Sequence, residues 1–319
     1  MPSLADTRTF NASFDLSHVP VAVFVGGTAG IGASMARALS LYTHGSIHII
    51  IAGRNESAGR DVLGSLTNPT KGGVLREFVF CDYSLLKSVH GACEAITSLL
   101  TNHFSGSQNN EPPRINFLTF SANYASLANK RNDTAEGLDL QLMIRYYHRF
   151  QMTCELLPLL HNAGTAARVM SILGAGGSCK VPHDDYGFRE SLVGSGKQGP
   201  SVTTVYTDVG FEEISARNPS IGITHIHPGF VRTSMVNGIL DNFKRWYLLP
   251  LYPLLSLVVW SLTKTPEDSA EYMIYALLNG KEGFFRRNAM GEDLGKVDHG
   301  VDKNKFYEHS VEVVRVNGA

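Results

Sequence analysis

Apolar and polar positions alternate along this chain in a way that predicts strands and helices in turn. Val21–Val25 is an unbroken apolar run ending in glycines, and residues 31–41 then repeat apolar positions at helical spacing. Residues 47–51 form a second buried-type strand, 77–81 a third that leads into Asp82, and 84–104 a long helix. A strand at 115–120, a helix at 137–160, a strand at 169–173, a helix at 203–217 and a strand at 221–226 follow. The last strand closes on His227-Pro228-Gly229. Strands that are apolar throughout, separated by helices, imply a parallel sheet covered on both faces. The expected fold is α/β: a doubly wound, Rossmann-type sheet in one domain, whose ligand lies outside the carboxyl ends of the strands.

Three stretches break the pattern. Residues 105–113 are a polar loop, and 174–200 are long, glycine-rich and aperiodic, as functional loops often are. Residues 237–263 are an insertion that contains WYLLPLYPLLSLVVWSL, seventeen residues (246–262) without a charge. Pro250 and Pro253 break its helical ladder, and its length is at the lower limit for a bilayer span. Three readings stay open for it: a lid that walls an apolar pocket, an interfacial contact with a membrane, and a single span. The helix after it starts clearly, with Thr265 as cap, Pro266 at the first position and Asp268 at the third, and Gly280 ends it. The expected organisation is an extension over 1–18, the domain over 19–290 with the apolar insertion at 237–263, and a C-terminal tail over 291–319.

Composition narrows the function. At 319 residues and 43% hydrophobic, the chain can build one large core. A net charge of -1 offers no basic face for nucleic acid. Four scattered cysteines without C-x-x-C spacing suggest neither a metal site nor a disulfide framework. The N-terminus has no charged-then-apolar leader and carries acids, so a cytoplasmic location is expected, with membrane association through 246–262 as the alternative. An oligomer stays open.

The strongest motif is Val25-Gly26-Gly27-Thr28-Ala29-Gly30-Ile31-Gly32, between the first strand and the first long helix. Gly26 lets the chain turn out of the strand, Gly30 admits a pyrophosphate close to the backbone, and Gly32 lets the helix pack on the sheet. The helix N-terminus offers unpaired N–H groups to phosphate. The turn resembles the T-G-x-x-x-G-x-G fingerprint of the short-chain dehydrogenase/reductase family, with Val25 in the Thr position. The resemblance runs from about Val21 to Phe285, through Ala52-Gly53-Arg54, Asp82 and Pro228-Gly229-Phe230-Val231-Arg232-Thr233, which is similar to the family's P-G-x-V-x-T. It implies that Asp82 contacts the adenine ring and that Val231 and Thr233 contact the nicotinamide amide. The helix around Arg145-Tyr146-Tyr147 resembles a divergent fungal branch often encoded in secondary-metabolite gene clusters. Arg54 stands where NAD-preferring members carry an acid, so NADP(H) is the expected cofactor: a guanidinium can pair with the 2′-phosphate.

The family's catalytic Ser, Tyr-x-x-x-Lys and Asn find little counterpart. Counting from the Pro-Gly places Gln198 and Val202 at the Tyr and Lys, Leu173-Gly174 at the Ser pair and Arg145 at the Asn. Tyr186 is followed four residues on by Glu190, and Tyr206 by Gly210. The candidate substitutes are Arg145 as a fixed cation, which cannot serve as a base, and Tyr147 or Tyr186 as proton donor. Tyr146, Ser171 and Lys197 read as core, strand and solvent-facing residues. His225 and His227 share one face of the sixth strand and read as hydrogen-bonded histidines rather than metal ligands. The expected function is an NADP(H)-dependent oxidoreductase with a non-standard proton donor, acting on a bulky apolar small molecule in secondary metabolism. A redox-neutral cyclase or isomerase on the same scaffold and a non-catalytic nucleotide-binding protein are the alternatives.

Overall fold

A computed structural model describes residues 2–15, 17–69, 72–105, 111–124, 131–190, 199–233, 260 and 263–318. The strands are β1 (Val21–Val25), β2 (His48–Gly53), β3 (Arg76–Phe80), β4 (Phe117–Phe120), β5 (Arg168–Ile172), β6 (Gly222–Ile226) and β7 (Gly283–Arg287). All pair in parallel, in the order β3-β2-β1-β4-β5-β6-β7. The order reverses between β1 and β4, and the carboxyl ends of those strands flank the switch-point crevice.

The central strands β1, β2 and β4 are buried at every position, which is why their sequences are mostly apolar without alternation, whereas the edge strands β3 and β7 are partly exposed and carry charges. Val21, Val23 and Val25 face a layer built from α4 (Leu86–Ser105), α6 (His148–Glu155) and α8 (Gly199–Arg217). Ala22 and Phe24 face α2 (Gly30–Tyr42) and α9 (Pro266–Leu278). On α9 the Thr265 hydroxyl accepts from the Asp268 N–H at 3.0 Å and Pro266 opens the helix, as the sequence predicts. The family-like doubly wound sheet is therefore present.

Several elements differ from the sequence pattern. The helix expected over 137–160 is segmented: α5 (Leu140–Leu142), a π-helical stretch (Met143–Tyr147), α6, and then α7 (Leu157–Asn162). Gly137 has φ +75° and lies outside it; Asp139, accepting from the Gln141 and Leu142 N–H groups, sets the true start. The helix α8 begins at Gly199, four residues early, because Pro200 is compatible with a first turn. The short α3 (Glu56–Gly64), capped by Asn55, and strand β7 were not legible as periodic runs.

The two ends of the chain fold into the domain. Residues 1–18, expected as an extension, contain α1 (Leu4–Ala12), and Asn11 donates to Glu271 on α9 at 2.9 Å. Residues 291–319, expected as a tail, contain α10 (Lys303–Gly318), whose Phe306 is fully buried against Tyr146 and Tyr206. The apolar run 246–262 lies outside the described residues except for Trp260, an exposed ring 5.0 Å from the Arg232 guanidinium. No described helix is long and apolar enough to cross a membrane. The four cysteines are free thiols.

Candidate active site

The glycine turn sits where β1 ends, over the switch point. Gly26 holds φ +94°, and a β-carbon on it would lie 2.9 Å from the Ala122 Cα beyond β4. A β-carbon on Gly32 would overlap the Ser121 hydroxyl, which itself donates to the Gly26 carbonyl at 2.9 Å. These two glycines therefore let the β1 and β4 ends and the start of α2 close on one another. Gly30 differs. At φ +58° it has, among the described residues, only Thr233 near its missing side chain, with the methyl at 3.4 Å. The space beside it is an open cradle that a side chain would fill.

The N-terminus of α2 adds a second mark of a phosphate site. Helices α1, α3, α5 and α9 are each capped by a side chain, Ser3, Asn55, Asp139 and Thr265, whereas Ala29 gives α2 no side-chain cap. Its first N–H groups and the positive end of its dipole are left for a ligand. These features fit a dinucleotide. Around the cradle lie Thr28, whose methyl is 3.0 Å from a β-carbon built on Gly53, and Ile31 in the first turn of α2. Arg54 follows β2, is exposed, and takes part in no ion pair among the described residues. Asp82 follows β3 and accepts from the Ser84 N–H and hydroxyl at 3.0 and 2.7 Å. Pro228 and Gly229 follow β6, and Val231 bridges to Lys264 while Thr233 reaches Gly30.

Beside this cradle, beyond β4 and β5, lies a cationic floor. Arg145 sits in the middle of the π-helical stretch, where one extra residue per turn re-aims the side chains. Its Nε donates to the Thr203 hydroxyl on α8 at 2.7 Å, one terminal nitrogen to Asn123 Oδ1 at 2.5 Å and the other to the Pro200 carbonyl at 3.2 Å. One turn later, fully buried Arg149 donates to the Ser171 hydroxyl at 2.5 Å and to the carbonyls of Ile172 and Ala122. All six acceptors are neutral. Burial pushes the Arg145 pKa down to about 10; burial, then the Arg145 charge, pushes Arg149 down to about 9. Both stay cationic at neutral pH. Two like charges one helical turn apart repel by on the order of 2–3 kcal/mol at an intermediate effective dielectric.

The tyrosines lie elsewhere. The Tyr147 hydroxyl pairs with His309 of α10 at 3.1 Å, and Tyr146 with Ser310 at 2.7 Å. Tyr186 packs edge-on against Phe306 and lines a separate cleft of about 670 Å³ with His309 and Arg189. Among the described residues no hydrogen bond joins Tyr147 or Tyr186 to Arg145. Positions two apart on a helix point to different sides, so nearness in sequence does not bring Tyr147 to the guanidinium. Val202 is fully buried; Lys197 and Gln198 lie outside the described residues. At Gly174 a β-carbon would lie 2.8 Å from the Thr204 hydroxyl, so α8 already supplies a hydroxyl beside the position counted to the family's Ser. Thr203, Thr204, Asn123 and Arg149 have no sequence signal beyond their places at strand and helix ends.

Beneath the loop after β5 lies a buried ionic cluster. His225 donates from Nδ1 to Asp208 Oδ1 at 2.6 Å and accepts at Nε2 from the Gly174 N–H at 3.2 Å, which sets the neutral tautomer. Oδ2 of Asp208 takes the Gly176 N–H and His299, and lies 3.2 Å from Arg286. Burial alone would raise the Asp208 pKa; the hydrogen bonds from His225 and His299 reverse this and hold it below the usual range. His227 accepts from the Gly229 N–H instead. Among the described residues no group of three metal-ligating side chains occurs.

A parallel doubly wound sheet with a glycine turn opening at its switch point defines a Rossmann-type α/β protein. No protein-family model matches the chain. It is 33% identical over 276 residues to the oxidoreductase andH of Emericella variicolor, spanning 86% of this chain and 74% of that one. It is 29% identical over 238 residues to the short-chain dehydrogenase/reductase SAT2 of Stachybotrys chartarum, over 72% of this chain and 66% of the other. Among solved structures, an actinorhodin polyketide ketoreductase variant with NADPH shares the fold at a TM-score of 0.57 and 18% identity, over 86% of this chain and 98% of that one. The chain belongs to the short-chain dehydrogenase/reductase family, and it is an oxidoreductase.

Proposed function

We propose that this protein is an NADP(H)-dependent oxidoreductase that interconverts a carbonyl and an alcohol on a bulky apolar small molecule, within fungal-type secondary metabolism. The observation that carries the reading is the Arg145 guanidinium, held by Asn123, Thr203 and Pro200 beside the glycine cradle. Gly30, the uncapped start of α2, Asp82 and Thr233 would hold the dinucleotide, and exposed Arg54 would take its 2′-phosphate. The cofactor, when bound, would supply the hydride, and a water molecule would supply the proton that completes the alcohol, because Arg145 keeps its own.

The protein's share is electrostatic. A carbonyl oxygen gains negative charge as its carbon is reduced, and a fixed cation in a site shielded from water stabilises that charge by several kcal/mol. Arg145 fills this role without moving, because its bonds to Thr203 and Asn123 set the plane of the guanidinium beforehand. Thr203 orients it, accepting from Nε while it donates to the Gly199 carbonyl at 2.8 Å. The uncharged run 246–262 supports an apolar substrate. Incubation with NADPH and a panel of apolar ketones and aldehydes tests the proposal through cofactor absorbance. Oxidation of NADPH with at least one of them supports it. Turnover of a substrate without cofactor oxidation would move the protein to the redox-neutral reading.

A further inference from the structure

Two cations stand at the carboxyl ends of β4 and β5 with no carboxylate among the described residues to balance them. Arg145 is 6% exposed and Arg149 is not exposed at all, and among the described residues every group that either one meets is a hydroxyl, an amide or a carbonyl. Arg149 Nε finds no acceptor among them. Buried Arg286, by contrast, has carboxylates beside it: it lies against Asp208 at 3.2 Å and donates to Glu212 at 2.6 Å. The sequence next to the site does not change the balance. Residues 125–130 and 191–198, which follow Tyr124 and precede Gly199, contain Lys130 and Lys197 and no acid. The N-terminus of the 19-residue α8 adds the positive end of its dipole.

Among the described residues Arg145 uses three of its five N–H groups, which leaves one on each terminal nitrogen. A neutral carbonyl alone takes one of these donors and leaves the other N–H and the excess charge unmatched, whereas a carboxylate beside the carbonyl accepts from the second. Building on the oxidoreductase reading above, we propose that the substrate carries a carboxylate close to its reacting carbonyl, and that Arg145 binds it through one terminal N–H while the other meets the carbonyl oxygen. Arg149, which no solvent or substrate atom reaches, is a positioning residue that raises the local potential from behind. The substrate class becomes an apolar chain or ring system with an acid group, such as a keto acid, in place of a simple ketone.

Binding tests this without any turnover, so its outcome is independent of whether hydride transfer is ever found. The full-length protein, loaded with NADP, is titrated by calorimetry with three probes of equal chain length: dodecanoate, dodecanol and dodecyl phosphate. Dodecanoate binding at least tenfold tighter than dodecanol is expected. In Arg145→Met that preference falls to less than threefold, while NADP affinity holds within threefold; Arg145→Lys recovers part of it. Equal binding of acid and alcohol by the wild-type protein overturns the proposal, as does a preference that Arg145→Met leaves intact. Tighter binding of the phosphate than of the carboxylate overturns the choice of carboxylate.

Discussion

Arg145 Nε donates to the Thr203 hydroxyl at 2.7 Å and so fastens the π-helical stretch to the first turn of α8. The same bond fixes where a charge can be stabilised. Arg145→Met, close in volume but uncharged, is expected to lower turnover by roughly 10²-fold or more, with cofactor affinity little changed. Steady-state rates with calorimetric cofactor titration check it. A rate within threefold of wild type would remove Arg145 from the chemistry.

Tyr147→Phe probes the other side of the same helix. Its hydroxyl meets His309 rather than Arg145. The expected result is turnover within about threefold of wild type and a loss of about 1 kcal/mol in unfolding free energy from the missing hydrogen bond. A rate drop of tenfold or more would restore Tyr147 as the proton donor.

The three glycines separate in their effects. Among the described residues a side chain at Gly30 meets only Thr233, its methyl at 3.4 Å, so Gly30→Val costs the fold chiefly its left-handed backbone, roughly 1–2 kcal/mol. It fills the cradle, and NADP(H) affinity should fall at least 100-fold. Gly32→Ala overlaps the Ser121 hydroxyl and should lower the melting temperature more than Gly30→Val does. Thermal melts with and without cofactor separate the two.

Arg54 stands exposed after β2 with no carboxylate partner among the described residues. Arg54→Ala should weaken NADPH binding by about 1–3 kcal/mol, roughly 5- to 150-fold, and leave NADH unchanged. Equal losses for the two cofactors would show that the residue does not read the 2′-phosphate.

Stability should fall on mild acidification. Burial, reinforced by the nearby His103 charge, pushes the His48 pKa down to about 4, against an unfolded value near 6.5. Between those two values the unfolded chain binds the extra proton and the folded chain does not, so unfolding becomes easier as pH drops through that window. The full His48 contribution is on the order of 3 kcal/mol, reached near pH 4. His48→Asn, which can still accept from the Leu75 N–H, should flatten that part of the urea-denaturation profile. An unchanged slope would place the acid sensitivity on other histidines.

The sheet was readable because β1, β2, β4, β5 and β6 are almost wholly buried and therefore mostly apolar, without alternation. The glycine turn was readable because only glycine tolerates the left-handed backbone of Gly26 and Gly30 and the crowding at Gly32. Strand β7 (GFFRR) hid because Arg286 and Arg287 belong to it as buried residues. The site's cationic half was only half legible. Arg145 stood out by counting, but Arg149 looked like any helix arginine until the fold set it against Ser171, 22 residues on. Asp208 and His225 likewise meet only through tertiary packing, 17 residues apart on α8 and β6.

The place of α10 has a consequence for how the protein is made. Asp208 waits for His299, 91 residues downstream, and the aromatic cluster of Tyr146 and Tyr206 stays open until Phe306 arrives. A nascent chain therefore keeps one face unsealed until residues 299–306 have left the ribosome. A stop codon placed before α10 strips the cover from a core whose strands are already made, and is as damaging as a stop within the sheet.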